Sequence, residues 1–264
     1  MRELLLIKLG GSLITDKSKE FAARPGVILR LAKEIKVAQK SFPGKIILAH
    51  GSGSFGHSVA AKYRTKEGMV NKQSLIGLPL VADAAIRINR IVIEELLRAG
   101  LPAVSFAPAS LFLAGNGELK ETNPQPIFRA LDLGFLPVLY GDIIFDEKRG
   151  FCIFSSETVL GILANQAKNA FDVIRLIYCG NTDGVYDANG KTIPEITPRT
   201  YQKIKRFITG SGQTDVTGGM LHKVKESLLQ AQQGIVTNII SGNRPNELRR
   251  AILGQKISGT TIRS

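Results

Sequence analysis

The sequence predicts an α/β protein, a three-layer αβα sandwich around an open, mostly parallel sheet. Three observations carry that expectation. Short apolar runs bounded by Gly, Pro or polar residues recur along the chain. Segments of helical period lie between them. The alternation of the two continues over all 264 residues, as it does where parallel strands are joined by crossover helices.

In chain order the strand-like runs are Leu4–Lys8, Lys45–Ala49, Ala103–Ala107, Pro137–Tyr140, Ile174–Tyr178 and Val236–Ile240. After the first run, "GVILRLAKEIKVAQKS" places Ile28, Leu31, Ile35 and Ala38 on one helical face, with Arg30, Lys33, Lys36 and Gln39 elsewhere. After the second, "DAAIRINRIVIEELLRAG" aligns Ile88, Ile91, Val92 and Leu96, and Gly100 suits a C-terminal cap. Ala114–Pro126 reads as a surface hairpin or lid, and Thr209–Gly219 as a mobile connection into a helix that begins near Met220.

A chain of this length suits a single domain spanning 1–264. Apolar residues at 44% and charged residues at 22% exclude a disordered or fibrous chain. Lys8 and two glycines interrupt "MRELLLIKLGG" well short of a signal-peptide core or a membrane span, so a cytoplasmic protein is expected. Cys152 and Cys179 sit in separate apolar runs without metal-like spacing and read as reduced, buried thiols. The net charge of +13 attracts anions without saying which.

In parallel sheets ligands collect beyond the carboxyl ends of the strands, so the loops there carry the search. "KLGGSLITDK" follows the first strand; its paired glycines let backbone N–H groups approach an anion that Lys8 and Lys17 can neutralise. "AHGSGSFGH" follows the second. It fits neither the Walker nor the dinucleotide pattern, and close backbone approach to phosphate is its best physical use. His57, just past those glycines, can donate to a phosphate oxygen, whereas His50, still inside the strand, reads as structural. His222, beside Lys223 at a helix start, stays open between the two. "VLYGDIIFD" ends a strand at Gly141-Asp142, where the acid could hold lysines in place, bias a metal or simply cap a turn. "YCGNTDGVYD" and "GQTDVTGGMLHK" suit a nucleotide's ribose and phosphates, with Lys223 reaching a terminal phosphate. Positive, preorganised loops of this kind suit phosphoryl transfer.

In order, "IKLGGSLITDK", "HGSGSFGH", "GLPAVSF", "LYGDIIFD", "TDGVYD" and "DVTGGMLHKV" resemble the amino acid kinase superfamily and, within it, the isopentenyl phosphate kinase family, over nearly the whole chain. The resemblance implies that Lys8, Gly10, Gly11 and Ser12 contact the ATP phosphates and that Lys17 meets the transferring phosphoryl group. It implies that Gly51, Ser52 and Gly53 bracket the phosphates and that His57 binds a phosphate already on the acceptor. Asp142 would orient the lysines; Asp183, Gly219 and Lys223 would serve the nucleotide. The N-terminal part would hold the acceptor and the C-terminal part the nucleotide.

Two departures stand out. Gly51-Ser52-Gly53 replaces three glycines, which is tolerable if Ser52 needs no positive φ. Ser155-Ser156-Glu157-Thr158 replaces Ser-Gly-Asp-Asp, which leaves the substrate contact at Ser156 and Glu157 less secure. The implied reaction turns isopentenyl phosphate and ATP into isopentenyl diphosphate and ADP, with Mg²⁺ bridging the nucleotide phosphates and no protein metal site. A prenyl monophosphate is the expected partner, with a homodimer and without nucleic acid or membrane. The alternatives are another small acceptor on the same fold, namely an acylated amino acid, a nucleoside monophosphate or a phosphonate, or a basic nucleic-acid binder. Against the last, aromatics are 6%, Trp is absent and the basic residues are scattered.

Overall fold

The computed structural model of the chain describes residues 2–63, 65–206, 208 and 219–264, without the side chains of residues 57, 58 and 66. Most of Thr209–Gly219, and with it the expected mobile connection, lies outside the described residues.

The chain opens with strand β1 (Glu3–Leu9), the single turn α1 (Gly11–Ile14), helix α2 (Pro25–Gln39) and strand β2 (Lys45–His50). It continues through α3 (His57–Lys62), α4 (Ser74–Arg98), β3 (Ala103–Ser105), the hairpin β4 (Phe112–Gly115) and β5 (Glu118–Thr122), α5 (Gln125–Asp132) and β6 (Leu136–Tyr140). Then come β7 (Asp142–Asp146), β8 (Gly150–Phe154), α6 (Ser156–Ala167), β9 (Val173–Gly180), β10 (Glu195–Ile196) and α7 (Pro198–Ile204). Helix α8 (Gly219–Ala231), β11 (Val236–Ser241), α9 (Glu247–Ile252) and β12 (Thr260–Ile262) complete it.

An eight-stranded sheet runs β10-β12-β11-β9-β1-β2-β6-β3, parallel throughout except where β12 turns back along β11. All six strand-like runs of the sequence are in it. Alternation along β1 assigns its two faces. Leu4 and Leu6 join a core with α5, α6 and α8, through residues such as Ile127, Leu160 and Leu228. Leu5, Ile7 and Leu9 join a second core with α2, α4 and α9, through Leu31, Ile88 and Leu248. The helices therefore cover both faces, and the three-layer expectation is met.

One element differs from expectation, and the surface hairpin or lid read at Ala114–Pro126 is resolved as the hairpin. Helix α4 begins at Ser74, well before the periodic stretch, and passes through Pro79. Proline there deletes one hydrogen bond near the helix start, and the Ser74 hydroxyl anchors that start by accepting from Val70 N–H at 3.2 Å. The segment from Phe112 is a true hairpin, turned by Asn116 and Gly117, both at positive φ. Asp146 accepts their N–H groups, the one from Asn116 at 3.0 Å. That hairpin joins β7 and β8 in a second, four-stranded sheet, β5-β4-β7-β8. Gly141-Asp142 accordingly does not end a strand; the chain steps there from the large sheet into the small one.

Candidate active site

The parallel register brings Leu9, His50, Tyr140 and Cys179 to one edge of the large sheet, so the loops after β1, β2, β6 and β9 meet. The first two loops are in direct backbone contact. A Cβ on Gly11 would lie 2.5 Å from Gly53 N, and one on Gly51 would lie 2.9 Å from Gly11 N. Gly53 has φ +52°, and Ser52 is not among the residues of positive φ, which is why serine is accepted between the two glycines. Thr15, which the sequence reading passed over, ties the loops together. Its hydroxyl donates to Gly11 O at 2.7 Å and accepts from Ser54 N–H at 2.9 Å.

His50 is fully buried, and burial holds its pKa down at about 4, aided by the charge of Lys8. Neutral, it donates from Nδ1 to Gly51 O at 3.2 Å and accepts at Nε2 from Asn89 at 3.1 Å. Asn89 in turn accepts from Ser105 Oγ at 2.6 Å, so the structural reading of His50 stands.

A cleft with about 100 Å³ of enclosed space, widening into open solvent, lies over these loops. Lys8, Gly10, Gly11, Ser12 and Lys17 line it from the first loop, and Gly51, Ser52 and Gly53 from the second. Asp142, Ser156, Gly219 and Lys223 line it from the C-terminal half. Of the two other expected residues, one lies outside the described side chains and one is engaged elsewhere. His57 opens α3, but its side chain lies outside the described ones. Asp183 is held by Arg244 in a bidentate pair, at 2.8 and 2.7 Å, and this guanidinium lowers its pKa.

The electrostatic arrangement departs from the sequence reading at one point. Asp142 was expected to orient the lysines, yet the carboxylate that binds Lys8 Nζ is that of Glu157, in the first turn of α6. Both groups are buried. Burial works to raise the Glu157 pKa, but the charges of Lys8 and Lys223 outweigh it and hold the carboxyl below its usual range. The residue discounted as a departure from the family motif is thus the one between two cleft lysines. Helix α6, capped by Ser155, also points its positive end into the cleft.

Asp142 instead accepts from Ile143 N–H at 2.8 Å, and burial pushes its pKa up to about 6. Its contribution to stability then has a definite sign. Between its ordinary 3.8 and about 6 the folded chain retains a proton that the unfolded chain has released, so stability falls as pH rises through that window. The loss amounts to roughly 3 kcal/mol. Urea unfolding between pH 4 and 6.5 is expected to show this decline in the native protein and a flatter profile in Asp142→Asn; parallel profiles would remove Asp142 as its source.

Beyond Gly53 and Gly56 the cleft turns apolar, with Ala60, Val81, Ala85 and Ile153 in its wall. Ala60 and Val81 belong to a small separate cluster with Ile143 and Phe151, in which α3 and α4 pack on the small sheet. The site therefore has a basic half rich in backbone N–H groups and an apolar half.

The family model of the amino acid kinase family matches residues 3–241. An isopentenyl phosphate kinase of Methanothermobacter thermautotrophicus is 34% identical, covering 98% of each chain. That of Methanocaldococcus jannaschii is 35% identical, again over 98% of each. A crystal structure of an isopentenyl phosphate kinase superposes with a TM-score of 0.82 at 29% identity, covering 98% of this chain and all of the other.

Proposed function

The chain belongs to the amino acid kinase family, and from that premise we infer that it catalyses the ATP-dependent phosphorylation of isopentenyl phosphate to isopentenyl diphosphate. One observation of the site carries the choice of acceptor, the junction of a phosphate-type cradle with an apolar wall. An acceptor with a charged head and a short hydrocarbon tail satisfies both halves.

In the proposed mechanism the acceptor's phosphate oxygen, already ionised near neutral pH, attacks the γ-phosphorus in line as the bond from that phosphorus to the β,γ-bridging oxygen breaks and ADP leaves, so no general base is assigned. Gly10, Gly11, Ser12 and Gly219 hold the nucleotide phosphates, Gly51 to Gly53 lie between the two phosphate groups, and His57 takes the acceptor's phosphate. Lys8, Lys17 and Lys223 meet the charge that spreads over the transferring oxygens. Glu157 holds Lys8 in place and biases Lys223, and Ser156 with the N-terminus of α6 adds donors. Asp183 serves the nucleotide side indirectly, by fixing Arg244 and the loop after β9. When bound with the nucleotide, Mg²⁺ would supply charge neutralisation. The cleft offers ammonium groups, with one carboxylate engaged by Lys8 and another in Asp142, a donor set that suits a metal carried in on the nucleotide rather than one resident in the protein.

We read 1–264 as one catalytic unit, with the acceptor on its N-terminal side and the nucleotide on its C-terminal side. Among the described residues no helix is long and apolar enough to cross a membrane. Free Cys152 and Cys179, both buried, suit a reducing compartment, so we place the reaction in the cytoplasm, which fractionation of the source cells checks. We also propose a homodimer. Leu75, Ile76 and Leu80 stand exposed on the first turns of α4, beside exposed Met69 and Val70, an apolar face of the kind that subunits cover. Light scattering of the purified protein is expected to give twice the chain mass, and a monomer at micromolar concentration would remove the proposal.

The deciding experiment measures ADP release with isopentenyl, dimethylallyl and longer prenyl phosphates beside N-acetylglutamate, a nucleoside monophosphate and a phosphonate. A kcat/KM for isopentenyl phosphate at least 100-fold above that of any non-prenyl acceptor is expected. Preference for a non-prenyl acceptor would change the substrate, and no ADP release with any acceptor would end the kinase reading.

A further inference from the structure

His222 precedes the cleft residue Lys223 on α8, and the mechanism above gives it no part. Its Nε2 lies 3.1 Å from Ser155 Oγ. Ser155 is the N-cap of α6; its hydroxyl oxygen accepts Thr158 N–H at 3.1 Å and lies 3.0 Å from Thr158 Oγ1. Two residues along α6 stands Glu157, bound to Lys8. Direct contacts therefore run from α8 through His222 and Ser155 to the turn that carries the partner of Lys8.

The packing of α8 gives this contact its importance. Residues 219–223 are all only half-buried, and the first fully buried side chain is Val224. Full burial thus anchors the helix from its second turn onward, whereas Met220 and Leu221 in the first turn pack only part-buried against the same core, and the His222 to Ser155 bond ties that turn sideways to α6. Electrostatics links the same groups. Burial raises the pKa of Glu226, one turn beyond His222; the His222 charge opposes that rise and the Glu157 charge adds to it.

We infer that His222 is a positioning residue. Through Ser155 it clips the first turn of α8 to the N-terminus of α6, and so sets where the Lys223 ammonium stands relative to the Lys8–Glu157 pair. The inference rests on the kinase reading for its effect on rate, but not for its effect on structure. What matters is one hydrogen bond at fixed reach: a glutamine amide extends about as far as Nε2, while phenylalanine fills the space without bonding. A displacement of Lys223 by about 1 Å is enough to cost on the order of 100-fold in rate.

The test uses the full chain with His222→Phe, His222→Gln, Ser155→Ala and the His222→Phe/Ser155→Ala double variant. Steady-state kinetics, thermal melting and amide hydrogen exchange over 219–226 are measured in each. His222→Phe is expected to lower kcat at least tenfold, leave the KM for isopentenyl phosphate within twofold and speed exchange in the first turn of α8. His222→Gln is expected to restore both rate and protection, and the double variant to be no slower than the slower single one. Four results would each overturn the inference: kcat within twofold in His222→Phe, unchanged exchange there, no rescue by glutamine, or additive losses in the double variant. Exchange is read without acceptor, so a native protein that phosphorylates nothing would end the kinase reading while leaving the clip itself decided.

Discussion

Glu157→Gln is expected to lower kcat/KM for isopentenyl phosphate by about 100- to 1,000-fold, the range seen when one preorganised electrostatic contact to a developing charge is lost. The same change should destabilise the nucleotide-free protein by about 3–5 kcal/mol. Both effects have one origin. Lys8 is 7% exposed and Glu157 3% exposed, so removing the carboxylate charge leaves a buried ammonium without its counter-charge. Lys8 then either turns from the cleft or gives up its proton, and each outcome withdraws positive charge from the transferring phosphoryl group. Bound nucleotide should return part of the lost stability by supplying negative charge to Lys8, so the gap between the melting temperatures of the variant and the native protein should narrow when ATP is added. Urea unfolding with and without nucleotide, together with steady-state kinetics, gives the measurement. A variant within 0.5 kcal/mol of the native protein and retaining half its kcat/KM would show that Glu157 is not what holds Lys8.

Gly11→Ala is expected to lower kcat/KM by about 100-fold while the chain still folds. The added methyl would sit 2.5 Å from Gly53 N and 2.8 Å from Gly53 Cα. Both are backbone atoms and cannot swing aside, so the two glycine loops must separate. Thr15 bonds to both loops and would lose one partner, and the phosphate-facing N–H groups would shift by roughly an ångström. Overpacking of this kind costs about 1–3 kcal/mol. Gly26→Ala is the control. It lies in α2 with nothing within 4 Å of the new methyl, and alanine there is expected to stabilise by about 0.5–1 kcal/mol and leave activity unchanged. Equal activity in the two variants would mean that contact between the loops is not needed for catalysis.

Legibility in the sequence followed the range of the interaction. The strands were readable because burial on both faces writes a continuous apolar run, as in Leu4 to Ile7. Helix α2 was readable because its stripe repeats every three to four residues. The small sheet was not, because β4, β5, β7 and β8 are short and their pairing depends on contacts with distant segments. In the site, the glycine loops and lysines could be found from local pattern, and Lys8, Lys17 and Lys223 do line one cleft. Thr15 escaped notice because a threonine after a strand carries no sign of what its hydroxyl will join. Glu157 escaped because a comparison of motifs weighs identity at a position, whereas a carboxylate at the start of α6 needs only charge and reach.

By itself the sequence determined the layer order, the two phosphate-type loops and the positive character of the site, since each follows from residue period, glycine or charge within a short stretch. Only the tertiary structure decided which acid meets which base. Lys8 and Glu157 are 149 residues apart, Asp183 and Arg244 are 61 apart, and Ser155 and His222 are 67 apart. No local pattern encodes those pairings. They exist because parallel strands bring the loops after β1, β2, β6 and β9 to one end of the large sheet, and the antiparallel β7–β8 pair returns the start of α6 beside Asp142, where Glu157 binds Lys8 and Asp142 does not.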